Sequence, residues 1–245
     1  MIRLAARYAL ALALLAPVAA AAEEAAAELT REEIETIVRD YLVEHPEVVI
    51  EALRAWEQKQ AAVEQEAAER AVVDRAAELY DDPETPFAGN PDGDVVIVEF
   101  FDYRCGYCRH SAPDLFALLE SDPDVKVVFK EFPILGPASV LAARAAVASR
   151  AQGLYTEFHM ALMEAEIAFS EDEIMRVAES VGLDTARLKA DMAAPEVDAY
   201  LARTDELARA LGVNGTPAFV IDDMLVPGAL DAADFEQIVT AAREE

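Results

Sequence analysis

The sequence predicts an α/β domain carried behind a helical N-terminal arm. Three observations predict it. "VVIVEFF" (residues 95–101) and "VKVVFKEF" (125–132) are β-branched and aromatic runs with a helical stretch between them, a βαβ unit. Residues 30–80 are patterned only for helix. The final "TPAFVIDDMLVPGALDAADFEQIVTAA" reads as strand, tight turn at Asp222-Asp223, strand and amphipathic helix.

The chain opens "MIRLAARYALALALLAPVAAAAEE": basic Arg3 and Arg7, an apolar run, then Pro17 and small residues up to Ala22. That order is the pattern of a secretory signal peptide, expected over residues 1–22 with cleavage near Ala22. A spanning helix needs about 20 apolar residues, more than this run supplies, and no cysteine follows for lipidation. The protein is therefore expected to be exported, to a periplasmic compartment where disulfides persist.

The arm is expected over residues 23–80. Thr30 three residues before Glu33 is a capping box, and Ile34, Ile37, Val38, Tyr41 and Leu42 share one helical face. Pro46 opens a second helix reaching about residue 80. Val49, Leu53, Trp56, Gln60, Val63 and Ala67 alternate at spacings of four and three along it, a short heptad-like seam. Either it packs on its own domain or it joins copies of the chain. "DDPETPFAGNPDGD" (81–94) is dense in Pro, Gly, Asp and Asn and is expected to be a linker.

The domain then runs over residues 95–245. Strand 95–101 should be buried on both faces and pair in parallel with strand 125–132. The helix between them starts near Cys105 and contains Pro113. Residues 137–212 look helical throughout, with a capping box at Ser170 and Glu173 and a stop at Gly182. The formal charge is −28, and removal of Arg3 and Arg7 takes it to about −30. Such a surface repels nucleic acid and anionic lipid.

The only cysteines are Cys105 and Cys108, in "FFDYRCGYCRH". A CxxC that follows a buried strand and opens a helix puts its first sulfur where unpaired N–H groups and the helix dipole stabilise a thiolate. Cys108 lies one turn on, able to attack a mixed disulfide. Arg104, Arg109 and His110 are expected to lower the thiol pKa further. The alternatives are a metal site and an inert staple. Structural zinc wants four ligands, and even with His110 the pair falls short. Copper(I), a soft ion, is the stronger metal candidate for Cys105 and Cys108. A staple across one turn closes too small a loop to add much stability. The redox reading is preferred, with no cofactor beyond the Cys105–Cys108 disulfide.

Glu99 stands six residues before Cys105 inside an apolar run. It is either a buried carboxyl with a raised pKa, able to exchange a proton with Cys108, or a strand residue that reaches the surface. "NGTPAFV" (214–220) places Thr216-Pro217 at a strand entry, where a trans bond is the ordinary expectation.

Together "EFFDYRCGYC", the helical stretch and "NGTPAFVIDDMLVPG" resemble the DsbA-like branch of the thioredoxin superfamily. The resemblance implies a thioredoxin fold with a helical insertion at 137–212, a cis Thr216-Pro217 bond beside the CxxC, Cys105 as attacking thiolate, Cys108 as resolving thiol and Glu99 as the buried carboxyl. "IVRDYLVEHPEVVIEALRAWEQKQ" resembles the arm of the ScsC (suppressor of copper sensitivity) type, in which the arm can mediate oligomerisation. Gly106-Tyr107 between the cysteines, with Thr216 before the proline, is similar to DsbC-type isomerases. Strongly oxidising DsbA members carry Pro-His there instead. The expected function is thus an exported thiol–disulfide oxidoreductase leaning to isomerase or reductase, with a dithiol oxidase as the alternative. Its expected partners are unfolded or misoxidised exported proteins bound near Tyr103, Tyr107, Thr216 and Pro217, a membrane redox partner, and further copies of itself through the arm.

Overall fold

Alternating side chains of two adjacent parallel strands build the centre of the fold. In a computed structural model of the chain, which describes residues 29–244, β2 (Val95–Phe101) pairs in parallel with β3 (Val125–Glu131) along its whole length. Glu99 lies opposite Phe129 and Phe101 opposite Glu131. The sheet has five strands in the order β1-β3-β2-β4-β5. Here β1 is Phe87–Gly89, β4 is Ala218–Ile221 and β5 is Met224–Pro227. Strand β4 runs antiparallel to β2, and the Asp222-Asp223 turn returns the chain as β5, with Asp222 at φ 53°. Among the described residues, the expected signal peptide at 1–22 has no counterpart, because it lies outside them.

Both sheet faces are covered, which is why the strands read as unbroken apolar runs. On one face Ile97, Phe101 and Phe129 pack with Leu115 of α4 (Gly106–Ser121), Phe158 of α6 (Tyr155–Glu164) and Phe235 of α10 (Ala232–Ala242). On the other, Val98, Phe100 and Val128 pack with Leu207 of α9 (Pro195–Ala210) and Leu79 of α3 (Ala76–Tyr80). The insertion comprises α5 (Pro137–Ser149), a 3₁₀ turn at Arg150–Gln152, α6, α7 (Glu171–Ser180), α8 (Thr185–Asp191) and α9. The capping box of Ser170 and Glu173 opens α7, and Gly182 follows it at φ +88°.

Two expectations need correction. The stretch 81–94 is not only a linker: Phe87–Gly89 forms edge strand β1, antiparallel to β3. Gly89 is required there, because at φ +84° an added Cβ would stand 2.4 Å from the Val125 carbonyl oxygen. The second arm helix also breaks at Arg75, into α2 (Pro46–Asp74) and α3. Buried Lys130 fixes α3, donating to the Glu78 carbonyl at 2.6 Å and the Thr85 hydroxyl at 2.8 Å.

The chain divides at Gln58/Lys59 into two units. In the first, α1 (Arg31–Glu44) starts on the Thr30/Glu33 capping box and buries no residue. Ile34, Ile37, Val38 and Tyr41, and Val49, Leu53 and Trp56 of α2, are all exposed. Their apolar spacing is thus not accounted for by packing within this unit.

Candidate active site

Cys105 is the N-cap of α4, with φ −76° and ψ 116°, next to the free N–H groups of the first turn. The side chain is 7% exposed, whereas Cys108, one turn on, is fully buried; both are free thiols. Position separates their chemistry. The Cys105 thiol is lowered to about 5, first by the hydrogen bond from the Cys108 thiol, then by the Thr216 hydroxyl and by the backbone N–H groups of Cys108 and Tyr107, against a burial cost. The Cys108 thiol is pushed far up, by burial first and then by the hydrogen bond to Cys105 and the nearby Glu99. These shifts favour a thiolate at Cys105 and a retained proton at Cys108.

The Thr216-Pro217 bond is cis, and Cys105 Sγ lies 3.1 Å from the Thr216 carbonyl oxygen. That oxygen accepts from the protonated thiol, while the Thr216 hydroxyl serves the thiolate. Pro217, Thr216 and Val213 line a groove with Leu225, Pro227 and Gly228 beside this contact.

Glu99 is a buried carboxyl, 1% exposed, with Oε1 lacking any hydrogen-bond partner. Burial, and then the Cys105 thiolate, push it up to about 8. It belongs to the buried-carboxyl alternative of the two read from the sequence. Tyr107 is 70% exposed.

Tyr103 does not reach the groove. It is 1% exposed, and its hydroxyl is 2.9 Å from Glu131 Oε1 and 3.0 Å from His159 Nδ1. The neighbouring basic side chains are held by other partners. Arg104 donates to the Leu135 carbonyl at 2.7 Å, and Arg109 donates to the Met163 and Ala165 carbonyls at 2.9 and 2.6 Å, capping the C-terminus of α6. Neither these arginines nor the exposed His110 is among the causes of the Cys105 shift. Hydrogen bonds hold the thiolate.

Sequence reasoning missed Asp102, Glu131 and His159. Asp102, 1% exposed, accepts from the Arg104 N–H at 2.8 Å and the Leu135 N–H at 2.9 Å, and its carbonyl accepts from the Cys105 N–H at 3.0 Å. It sets the turn that delivers Cys105 to the helix. Glu131 carried the same signal as Glu99, a carboxyl inside an apolar strand. Among the described residues, no group of three or more His, Cys, Asp and Glu side chains is placed to hold a metal ion.

Comparison with known proteins agrees with this fold. The DSBA-like thioredoxin domain family matches residues 96–240, and the family described as the copper resistance protein ScsC N-terminal domain matches residues 31–62. A thioredoxin-like oxidoreductase from Silicibacter pomeroyi is 48% identical, over 69% of this chain and 98% of that one, with a TM-score of 0.67. Proteus mirabilis ScsC in a transitional conformation is 33% identical, over 86% and 95%, with a TM-score of 0.66. A periplasmic thioredoxin-like protein from Salmonella enterica serovar Typhimurium is 30% identical, over 69% and 96%, with a TM-score of 0.62. The chain spans about a quarter of the length of the first curated relatives it matches. One is the Na(+)/H(+) antiporter NhaA of Herminiimonas arsenicoxydans, 29% identical over 66% of this chain and 26% of the antiporter. No helix among the described residues is long and apolar enough to cross a membrane. The chain belongs to the DSBA-like thioredoxin domain family and carries an ScsC-type N-terminal domain ahead of that fold.

Proposed function

We propose that this chain is an exported, periplasmic protein thiol–disulfide oxidoreductase working mainly as a disulfide isomerase or reductase. The observation that carries the reading is the division of labour between the thiols: Cys105 lowered to about 5 at a helix N-terminus, Cys108 kept protonated one turn away. The Cys105 thiolate attacks a substrate disulfide, forming a mixed disulfide and expelling one substrate thiolate. Either a second substrate thiolate displaces Cys105, which isomerises the substrate, or Cys108 attacks Cys105 Sγ. The latter releases the second substrate thiolate and leaves Cys105–Cys108 oxidised, the substrate having gained two electrons. Glu99, whose charge acts on the Cys108 thiol, accepts the Cys108 proton in that step.

Gly106-Tyr107 supports the isomerase lean, since Tyr107 supplies no positive charge to the thiolate. Substrates are unfolded or misoxidised exported proteins lying against Tyr107, Thr216 and Pro217, and a membrane redox partner keeps the pair poised. The exposed apolar residues of α1 and α2 support assembly of several copies through the arm.

Reactivation of scrambled, wrongly disulfide-bonded ribonuclease tests the reading, with Cys105→Ser as control. Cys105-dependent recovery is expected. Oxidation of reduced ribonuclease without recovery of the scrambled form would make the protein a DsbA-like oxidase. Neither activity, with stoichiometric copper(I) retained through gel filtration by the wild type and lost on replacing both cysteines, would overturn the enzymatic reading.

A further inference from the structure

Glu131 is a buried acid unused by the exchange chemistry. One of its oxygens, Oε1, accepts hydrogen bonds from two phenols, Tyr103 and Tyr155, each at 2.9 Å. The three residues come from different parts of the fold. Glu131 ends β3, Tyr155 opens α6 of the insertion, and Tyr103 lies two residues before the nucleophile. His159 completes the cluster from the next turn of α6, with Nδ1 3.0 Å from the Tyr103 oxygen and its ring against Phe101 and Phe129.

The protons can be assigned. Each phenol has one, and both go to Glu131; the Tyr103 oxygen then accepts from His159 Nδ1–H. That leaves His159 Nε2 as an unprotonated lone pair, consistent with its having no partner. Burial keeps this imidazole neutral, lowering it to about 3, and raises Glu131 to about 8. Asp102 and Arg150 are the other charged groups acting on Glu131. A buried acceptor for two phenols costs more than it returns when apolar packing would serve. Here it fixes the one tyrosine from which the CxxC turn departs.

We propose that Glu131 is a positioning residue for the thiol pair: through the Tyr103 hydroxyl it holds the Asp102–Cys105 turn in the register that presents Cys105 Sγ to the N–H groups of Tyr107 and Cys108. This rests on Cys105 being the nucleophile, as proposed above. It makes the carboxyl act on reactivity without touching substrate.

The test is the pH profile of Cys105 alkylation by iodoacetamide in the full-length reduced protein, for wild type, Glu131→Leu, Glu131→Gln and Tyr103→Phe, with the melting temperature of each. Cys105→Ser gives the background. Expected is a rise of about one unit in the titration midpoint for Glu131→Leu and Tyr103→Phe. That lowers the rate at pH 5 about fivefold and leaves it within about twofold at pH 8. Glu131→Gln, which keeps an oxygen acceptor, should stay nearer wild type. Superimposable midpoints with lowered melting temperatures would overturn the inference and make the cluster merely structural. Equal loss at every pH would overturn it too. If Glu131→Leu does not fold, Tyr103→Phe, which loses one oxygen, decides alone. Wild-type alkylation no faster than that of Cys105→Ser would instead defeat the underlying reading.

Discussion

Replacing Cys108 by alanine leaves a single thiol and removes the first contributor to the low Cys105 pKa, the hydrogen bond from the Cys108 thiol. A hydrogen bond to a charged group is worth about 1.5–3 kcal/mol. The burial cost of the Cys105 thiolate offsets part of that bond, which favours the lower part of the range, about 1.5–2 kcal/mol. At about 1.36 kcal/mol per pH unit this is a rise of about 1–1.5 units. The midpoint should therefore move from about 5 in the wild type to roughly 6–6.5. Thiolate absorbance at 240 nm against pH reads it directly, because the Cys108 thiol of the wild type stays protonated throughout. Alkylation at pH 6 should slow about two- to fourfold, in proportion to the thiolate fraction. A midpoint still near 5 would refute the reasoning and transfer the stabilisation to the backbone N–H groups and Thr216. A midpoint near 9 would refute the magnitude, since one bond would then carry the whole shift.

Three further outcomes are expected. Glu99, raised to about 8, binds a proton more tightly folded than unfolded, so its contribution to stability is full below about 4.5 and lost as pH rises through about 8. Urea unfolding at pH 6 and pH 9 should show Glu99→Gln gaining on wild type at the higher pH, and Cys108 attack on a trapped mixed disulfide should lose its rise near pH 8. Phe235, fully buried and edge-to-face with Phe219 at 5.3 Å, should cost about 3–5 kcal/mol in chemical denaturation when changed to alanine. Paired Leu53→Glu and Trp56→Glu changes fall on exposed positions, so circular dichroism should not change. If the arm joins copies of the chain, light scattering should report a smaller particle and recovery of scrambled ribonuclease should fall; an unchanged mass would remove the arm from assembly.

Glu99 was visible in the sequence as a charge inside an apolar run, yet its burial was not. Period-two strands cannot say which face a neighbouring helix will cover. The same signal stands at Glu131 inside "VKVVFKEF", and its burial was equally invisible in the sequence. Tyr103 erred the other way: closeness to the CxxC suggested the groove, while Glu131 and His159 draw the ring inward.

The sequence by itself determined what depends on short-range order. The parallel pair of strands, the helix opening at Cys105, the two capping boxes and the Asp222-Asp223 turn all follow from periodicity, caps and turn residues within a few positions. Only the tertiary structure decided the chemistry of that pair. Thr216 meets Cys105 across 111 positions and Tyr103 meets His159 across 56, while Phe87–Gly89 became a strand because β3 offered it an edge. Desolvation and hydrogen bonding act through space, so the thiol pKa values, the state of Glu99 and the carbonyl partners of Arg104 and Arg109 are fixed only once the chain has closed on itself.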